Sequence, residues 1–228
     1  MILFIIISIP VFISLCVAVY NIVTNPVFKE ISDSNKTEPL VSILIPARNE
    51  EKNISTCLES VLKQNYINIE ILVLNDNSTD STQSIVSIIA ENNKKVKLIN
   101  GKPLPENILG KNFACAQLAE NAKGAFLLFI DADVSIHSAV IASSINYFNK
   151  YKLDVLSVFP TQKISSFGEW LIVPSMNWLL LAFLPLNQVY KSGNISLTAA
   201  NGQFMMWRKE AYTKTGGHTV ASAELVED

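Results

Sequence analysis

From Leu40 the chain alternates short apolar runs with amphipathic stretches, and this alternation restricts the fold more than any other feature. LVSILI (40–45), IEILVL (69–74), VKLI (96–99) and AFLLFI (125–130) have the length and β-branched content of strands. Between them, EEKNISTCLESVLKQ (50–64), a stretch over about 79–92 and KNFACAQLAENA (111–122) carry helical spacing. In the first of these, Ile54, Leu58, Val61 and Leu62 share one face, and Asn49 stands where an N-cap belongs. Strands that are apolar on both faces and separated by helices predict an α/β fold, a mostly parallel sheet covered on both sides. Ligands of such sheets bind beyond the carboxyl ends of the strands. Polar residues gather at three of those ends: Pro46-Ala47-Arg48-Asn49-Glu50, Asn75-Asp76-Asn77-Ser78 and Asp131-Ala132-Asp133.

Composition matters mainly for what surrounds this pattern. Charged residues make up 17% of the chain, against about 25% in an ordinary soluble domain. The deficit is local: residues 1–28 carry no charge, and residues 164–190 carry only Glu169. The remainder is that of a soluble domain, which argues against a polytopic membrane protein. MILFIIISIPVFISLCVAVYNIV (1–23) has the roughly 20 apolar residues of a membrane span. It lacks the basic start of a cleaved signal, so it is expected to be an uncleaved single-pass anchor. The first positive charges, Lys29, Lys36, Arg48 and Lys52, all follow it and place the downstream domain on the cytoplasmic side of the cell membrane. Residues 24–38 are expected to be a linker, and residues 39–228 the α/β domain.

The second greasy stretch, residues 167–190, contains Trp170, Trp178 and Tyr190, residues favoured at membrane interfaces. Pro174 and Pro185 are expected to break it into short interfacial helices. A buried core hairpin is the alternative. The near-balance of 18 basic and 20 acidic residues gives no footprint for nucleic acid. Cys16, Cys57 and Cys115 are too scattered for a disulfide framework, and with only His137 and His218 a zinc site of Cys and His is not expected.

The strand-end clusters suit a specific chemistry. Asp131 and Asp133, two apart on a turn leaving FLLFI, can hold Mg²⁺ or Mn²⁺, which favour oxygen ligands and share them with substrate phosphates. The bland reading is that Asp133 caps the next helix. Asp76 is an acceptor-only carboxylate suited to a nucleobase N–H, and Ser78 or Asp80 can cap the helix after it. Lys111 follows Gly110, which permits close backbone approach, and its charge suits a diphosphate. The stretch is not a P-loop, because Asn112 stands where Ser or Thr is required.

IPARNEEKNISTCLESVLKQ, VLNDNSTDST, LGKNFACAQLAENAKGAFLLFIDADV and the terminal VED together resemble the inverting family 2 glycosyltransferases of GT-A fold. LPENILGKNFACAQLA is most similar to the membrane-bound subgroup associated with hopanoid and carotenoid glycosylation. The resemblance implies a donor pocket formed by Pro46, Ala47, Glu50, Asp76, Lys111, Asp131 and Ala132. It implies a metal on Asp131 and Asp133, with His218 as a candidate third ligand or else a histidine of a polar loop. It makes Asp228 the catalytic base. Asn77 departs from the family pattern, standing where glycine is common. The implied reaction is transfer of a sugar from a nucleotide-diphospho-sugar, a uridine diphosphate sugar being favoured, to a lipid-phase acceptor. A processive polysaccharide synthase and a silent nucleotide-sugar-binding subunit are the alternatives. Relatives continue with further helices, so the resemblance also implies a fragment.

Overall fold

A computed structural model describes residues 2–24, 28–29, 38–105, 110–191 and 200–221. The chain divides into two compact units, Lys29–Pro160 with Ala200–Asp228 and Met1–Phe28 with Thr161–Ala199.

The larger unit is built on β1 (Val41–Ala47), β2 (Ile69–Asn75), β3 (Val96–Asn100) and β4 (Phe126–Ile130), all mutually parallel. These are the four strands the sequence predicts. Two further strands, β5 (Val155–Ser157) and β6 (Phe204–Arg208), add antiparallel pairing at one side, and the sheet order is β3-β2-β1-β4-β6-β5. Alternate side chains feed two cores. Val41, Ile43, Ile45, Phe126, Leu128 and Ile130 pack with Ile54, Leu58 and Val61 of α2 (Ile54–Leu62), Val86 of α3 (Thr82–Asn92) and Phe148 of α5 (Val140–Tyr151). Leu44, Leu127 and Phe129 pack on the other face with Ala114, Cys115 and Leu118 of α4 (Gly110–Asn121) and Tyr212 of α8 (Lys209–Thr215).

One local expectation changes. The helix expected from residue 50 begins at Ile54, and its N-cap is Asn53 rather than Asn49. Asn49 instead adopts a left-handed backbone with φ 58°, which Asn tolerates better than most residues. A tight polar contact precedes β4. Ser42 is fully buried, donates to Glu70 Oε1 at 2.5 Å and accepts from Gly124 N at 2.8 Å. A Cβ on Gly124 would stand 2.6 Å from Ser42 N and 2.7 Å from Leu40 O, both backbone atoms.

The smaller unit pairs α1 (Ile2–Thr24) with α6 (Phe167–Phe183) and the short α7 (Leu186–Lys191). A capping box of Ser166 and Glu169 starts α6. Its far end is closed from α1: buried Asn21 donates through Nδ2 to Leu181 O and Leu184 O at 2.8 and 2.7 Å. Asn21 Oδ1 also accepts from Leu186 N at 2.9 Å. With both ends satisfied, α6 runs through Pro174, so of the two expected breaks only the one before Pro185 occurs. Trp170, Leu171 and Trp178 are more than half exposed, and Ala182 is the buried residue of α6, which does not fit a core hairpin.

The segment expected as a membrane anchor is helical, but its crossing of a bilayer is not supported. Among the described residues, no helix is long and apolar enough to cross a membrane.

Replacing Gly124 with Ala should destabilise the protein by about 1–3 kcal/mol, the range for an overpacked interior, as read by denaturant unfolding. Gly168→Ala is the control, since nothing lies within 4 Å of a Cβ there. A second expectation concerns pH. Burial pushes the Cys57 thiol up from its ordinary 9.0 to about 12, with Asp133, Asp131 and Glu50 adding to the shift. Burial likewise raises the Tyr66 hydroxyl and pushes that of Tyr212 up to about 12. Each group is held neutral by folding, so its contribution is complete below about pH 9 and is lost as pH climbs toward 12. Equilibrium unfolding at stepped pH should show stability falling across that window, and a flat profile would contradict these burials.

Candidate functional site

Parallel pairing puts the ends of β1, β2 and β4 at one edge. Ala47 pairs with Asn75, and the next residue, Asp76, donates its N–H to Ala47 O at 2.9 Å. The loops that follow are stitched together by polar bonds. Asn49 N donates to Ser78 Oγ at 3.1 Å, and Asn49 Oδ1 accepts from Thr79 N at 2.8 Å. Glu50 N donates to Thr82 Oγ1 at 2.7 Å, and Glu51 N to Asp80 Oδ2 at 3.1 Å. Asn77 takes φ 52°, the backbone state for which glycine is usual. The N-cap of α3 is Ser81 rather than the expected Ser78 or Asp80, although Asp80 Oδ1 accepts from Thr82 N at 3.0 Å at the first helical residue.

These loops hold Asp76 in place. Its carboxylate lies 3.9 Å from Arg48 Nη1, with the Asp76 side chain 15% exposed. A Cβ on Gly110 would be 3.7 Å from Asp76 Oδ2, an ordinary contact distance, so α4 begins beside the carboxylate.

At the end of β4, Asp131 N donates to Gln203 O at 3.2 Å, and Val134 N closes a turn onto Asp131 O at 3.1 Å. The next helix, α5, has Ala139 as its N-cap, so Asp133 is not a cap and the bland reading of the D-x-D triplet does not hold. Lys111 Nζ reaches across to Asp131, 3.1 Å from Oδ1 and 3.2 Å from Oδ2. Pro46, Lys111, Phe129, Asp131, Met205 and His218 share one cavity of about 130 Å³, with Asn112 and Cys115 on its α4 side. Cys57 lies beneath, its Sγ 3.7 Å from Asp131 O. Its thiol is raised by burial first and then by Asp133, Asp131 and Glu50, which brings those three carboxylates into one neighbourhood.

The donor set fits a hard divalent cation. Two carboxylates supply oxygen ligands, and phosphates and water complete the shell of Mg²⁺ or Mn²⁺ in nucleotide sites. Among the described residues, no group of three His, Cys, Asp or Glu forms a cage by itself.

The other sequence-predicted residues divide. Pro46 lines the cavity, whereas Ala47 and Ala132 turn into the core, leaving their backbones for any contact. Glu50 Oε2 accepts from Asn53 Nδ2 at 2.8 Å, and its carbonyl accepts from Asn53 N and Ile54 N, so Glu50 also anchors the start of α2. His218 lines the cavity with Asp131. Asp228 and Glu227 lie outside the described residues. Sequence reasoning missed Arg48 as the partner of Asp76, and Tyr212 and Phe129 as the aromatic wall behind His218. Arg48 was legible in principle, two residues past Pro46 in a polar cluster. Tyr212 and Phe129 were not, because β6 and α8 fold back on β4 and bring distant segments together.

Residues 42–216 match the family described as Glycosyl transferase family 2. The 4,4'-diaponeurosporenoate glycosyltransferase of Staphylococcus aureus (strain USA300) is 30% identical over 198 residues, 85% of this chain and 50% of that protein. The enzyme of the same name from Staphylococcus haemolyticus is 28% identical over 194 residues, 84% of this chain and 50% of that one. The chain therefore spans about half the length of the curated relatives it matches. Among solved structures, the mannosyltransferase PcManGT of Pyrobaculum calidifontis, in complex with GDP-Man and Mn²⁺, aligns with a TM-score of 0.64 at 17% identity. That alignment covers 91% of this chain and 54% of the mannosyltransferase. S. aureus TarS 1-349 aligns with a TM-score of 0.55 at 18% identity, over 77% of this chain and 49% of TarS. At these identities the likeness is one of fold, the GT-A arrangement expected from the sequence. Matched over residues 42–216 and 30% identical to a family relative, the chain belongs to glycosyl transferase family 2.

Proposed function

We propose that the chain is the catalytic part of an inverting, metal-dependent glycosyltransferase, transferring a sugar from a nucleotide-diphospho-sugar to an acceptor held in lipid. The observation that carries this is the meeting of Asp76 and Asp131, from two strand-end loops, with Lys111 of the first turn of α4 at one edge of the sheet. Asp76 would accept from the nucleobase, and Lys111 would swing from Asp131 to the diphosphate. Asp131 and Asp133 would hold Mg²⁺ or Mn²⁺, whose charge offsets that of the leaving diphosphate when bound. Asp228 would take the proton from the acceptor hydroxyl as that oxygen attacks the anomeric carbon from the face opposite the diphosphate. The fold neighbours carry GDP-Man with Mn²⁺ and, for TarS, UDP-GlcNAc, which supports a nucleotide-sugar donor without choosing its base. The names of the S. aureus and S. haemolyticus relatives give a carotenoid as the acceptor, which supports a lipid-phase acceptor here.

Association with the membrane belongs to the same reading. Exposed Trp170, Leu171 and Trp178 on α6, and exposed Phe12, Leu15 and Val19 on α1, form apolar surface of the kind that settles into a bilayer interface.

Titration calorimetry with UDP and GDP should show binding that needs Mg²⁺ or Mn²⁺ and is lost in chelator and in Asp133→Ala. In the full-length enzyme Asp228→Asn should bind the nucleotide normally yet turn over roughly 10²–10⁴-fold more slowly, the usual loss with a general base. Equal affinity in chelator would remove the metal from the scheme, and near-normal turnover with loss in Glu227→Gln would move the base. For the membrane, the protein should co-sediment with lipid vesicles and blue-shift its tryptophan emission. Trp170→Asp combined with Trp178→Asp should abolish both effects, and unchanged sedimentation would refute the interfacial role of α6.

A further inference from the structure

The Gly216-Gly217-His218 turn is built around a hydrogen-bond clasp. Tyr212 Oη lies 2.8 Å from His218 Nδ1 and accepts from the His218 backbone N–H at 3.2 Å. The two glycines make this contact sterically feasible. Gly217 has φ +52°, and a Cβ there would collide with Cζ and Cε1 of the Tyr212 ring. Gly216 has φ +83°, and a Cβ there would strike Val220. The tyrosine ring is otherwise enclosed by aromatic groups, stacked at 5.5 Å on Phe129 and edge-on to Trp207 at 5.9 Å.

The clasp selects the histidine tautomer. A backbone N–H can only donate, so the phenol oxygen accepts on that side. Among the described residues the remaining partner of the hydroxyl is Nδ1, and its proton goes there. With Nδ1 accepting, the imidazole carries its own proton on Nε2. A nitrogen bearing a proton has no lone pair for a metal, and metal-binding histidines ordinarily donate from the other ring nitrogen instead of accepting there. A neutral N–H is well suited to a phosphate oxygen. His218 packs at 4.6 Å on Phe129 and lines the cavity that also holds Lys111 and Asp131.

We propose that His218 donates through Nε2–H to the diphosphate of the sugar donor, held in that tautomer by Tyr212 as a positioning residue, and is not a ligand of the metal. This inference rests on the nucleotide-sugar reading above and assigns the histidine a role opposite to the one the family resemblance offers. It also explains the glycine pair, which a histidine in an unconstrained polar loop would not need.

Three measurements test it on the whole protein. The chain has only two histidines, so long-range ¹⁵N–¹H spectra of histidine-labelled protein without nucleotide resolve both. His218 should show the Nε2–H tautomer, and Tyr212→Phe, which keeps the ring packing, should give a mixture. An Nδ1–H signal in the unaltered protein overturns the proposal. Calorimetry with UDP and GDP at saturating Mn²⁺ should show roughly 10- to 100-fold weaker binding in His218→Ala, the usual range for a lost hydrogen bond to a charged group. His218→Gln, which keeps an amide donor near the place of Nε2, should recover most of it. Pulsed electron paramagnetic resonance of Mn²⁺ in the nucleotide complex should show no directly bonded imidazole nitrogen, and finding one overturns the assignment. If the unaltered protein binds neither nucleotide, the donor reading itself fails. If it binds and His218→Ala binds equally well, only the role of His218 fails.

Discussion

Every side chain of β4 is removed from water, and so is all of β1 except Pro46. Strands buried on both sides require a cover on each face, because a bare apolar face of that size would associate with other chains. The cover comes from α2, α3 and α5 on one side and from α4 and α8 on the other. Once those helices cross over between parallel strands, the strand ends must lie together at one edge. Along β1 and β4, charged residues then stand only where the chain leaves the core. The position of Asp76 and Asp131 is thus a consequence of how Leu44, Leu128 and their neighbours are buried.

This dependence explains which parts of the fold could be read from the sequence. The four parallel strands were legible because their apolar runs are continuous and their flanking helices are periodic. Strand β6, FMMWR, was not, since five residues ending in Trp and Arg look like any surface segment. Its place is fixed by pairing Phe126 with Arg208 and Ile130 with Phe204, a long-range match that no local pattern encodes. The start of α2 was misplaced because Asn49 and Asn53 are both capping types. The decision falls to Asn49 Oδ1, which bonds to the loop after β2 rather than to the helix. Pro174 was misread for a similar reason: the capping box and Asn21, which hold the two ends of α6, are contacts at short and very long separation, and only the first is visible locally.

The candidate site was legible where it consists of single carboxylates at strand ends, and illegible where it consists of partners. Asp76 and Asp131 follow from position alone, whereas Lys111 follows from the adjoining Gly110 and the family resemblance. That Arg48 faces Asp76, that Cys57 lies beneath three carboxylates and that Tyr212 orients His218 follow only from tertiary packing. The aromatic wall has the longest reach. Phe129 leaves β4, Tyr212 leaves α8, and they stack because β6 carries the chain away from the site edge and α8 returns it. A glycine pair in a loop would ordinarily be taken for flexibility. Here it admits a buried ring against the backbone, which has the opposite effect.

The pairing of Lys111 with Asp131 bears on how the site could exchange one cation for another. The lysine side chain is 47% exposed and the aspartate 23%, so water screens the attraction. Pairs of that kind contribute about 0–1 kcal/mol, too little to lock the carboxylate against a divalent ion bonding directly to the same oxygens. The pair is still sufficient to keep Asp131 turned toward the cavity. Glu50, Asp76, Asp131 and Asp133 carry four negative charges in this neighbourhood, against Lys111 at Asp131 and Arg48 at Asp76 among the described residues. A diphosphate entering such a site meets net repulsion unless positive charge enters with it. In the proposed reaction Lys111, on the first turn of α4, would leave Asp131 for the incoming phosphates. Under the proposed function, the same lysine would orient the carboxylate that holds the metal before the nucleotide arrives and would neutralise part of the nucleotide's charge afterwards, which depends on the ion pair being weak.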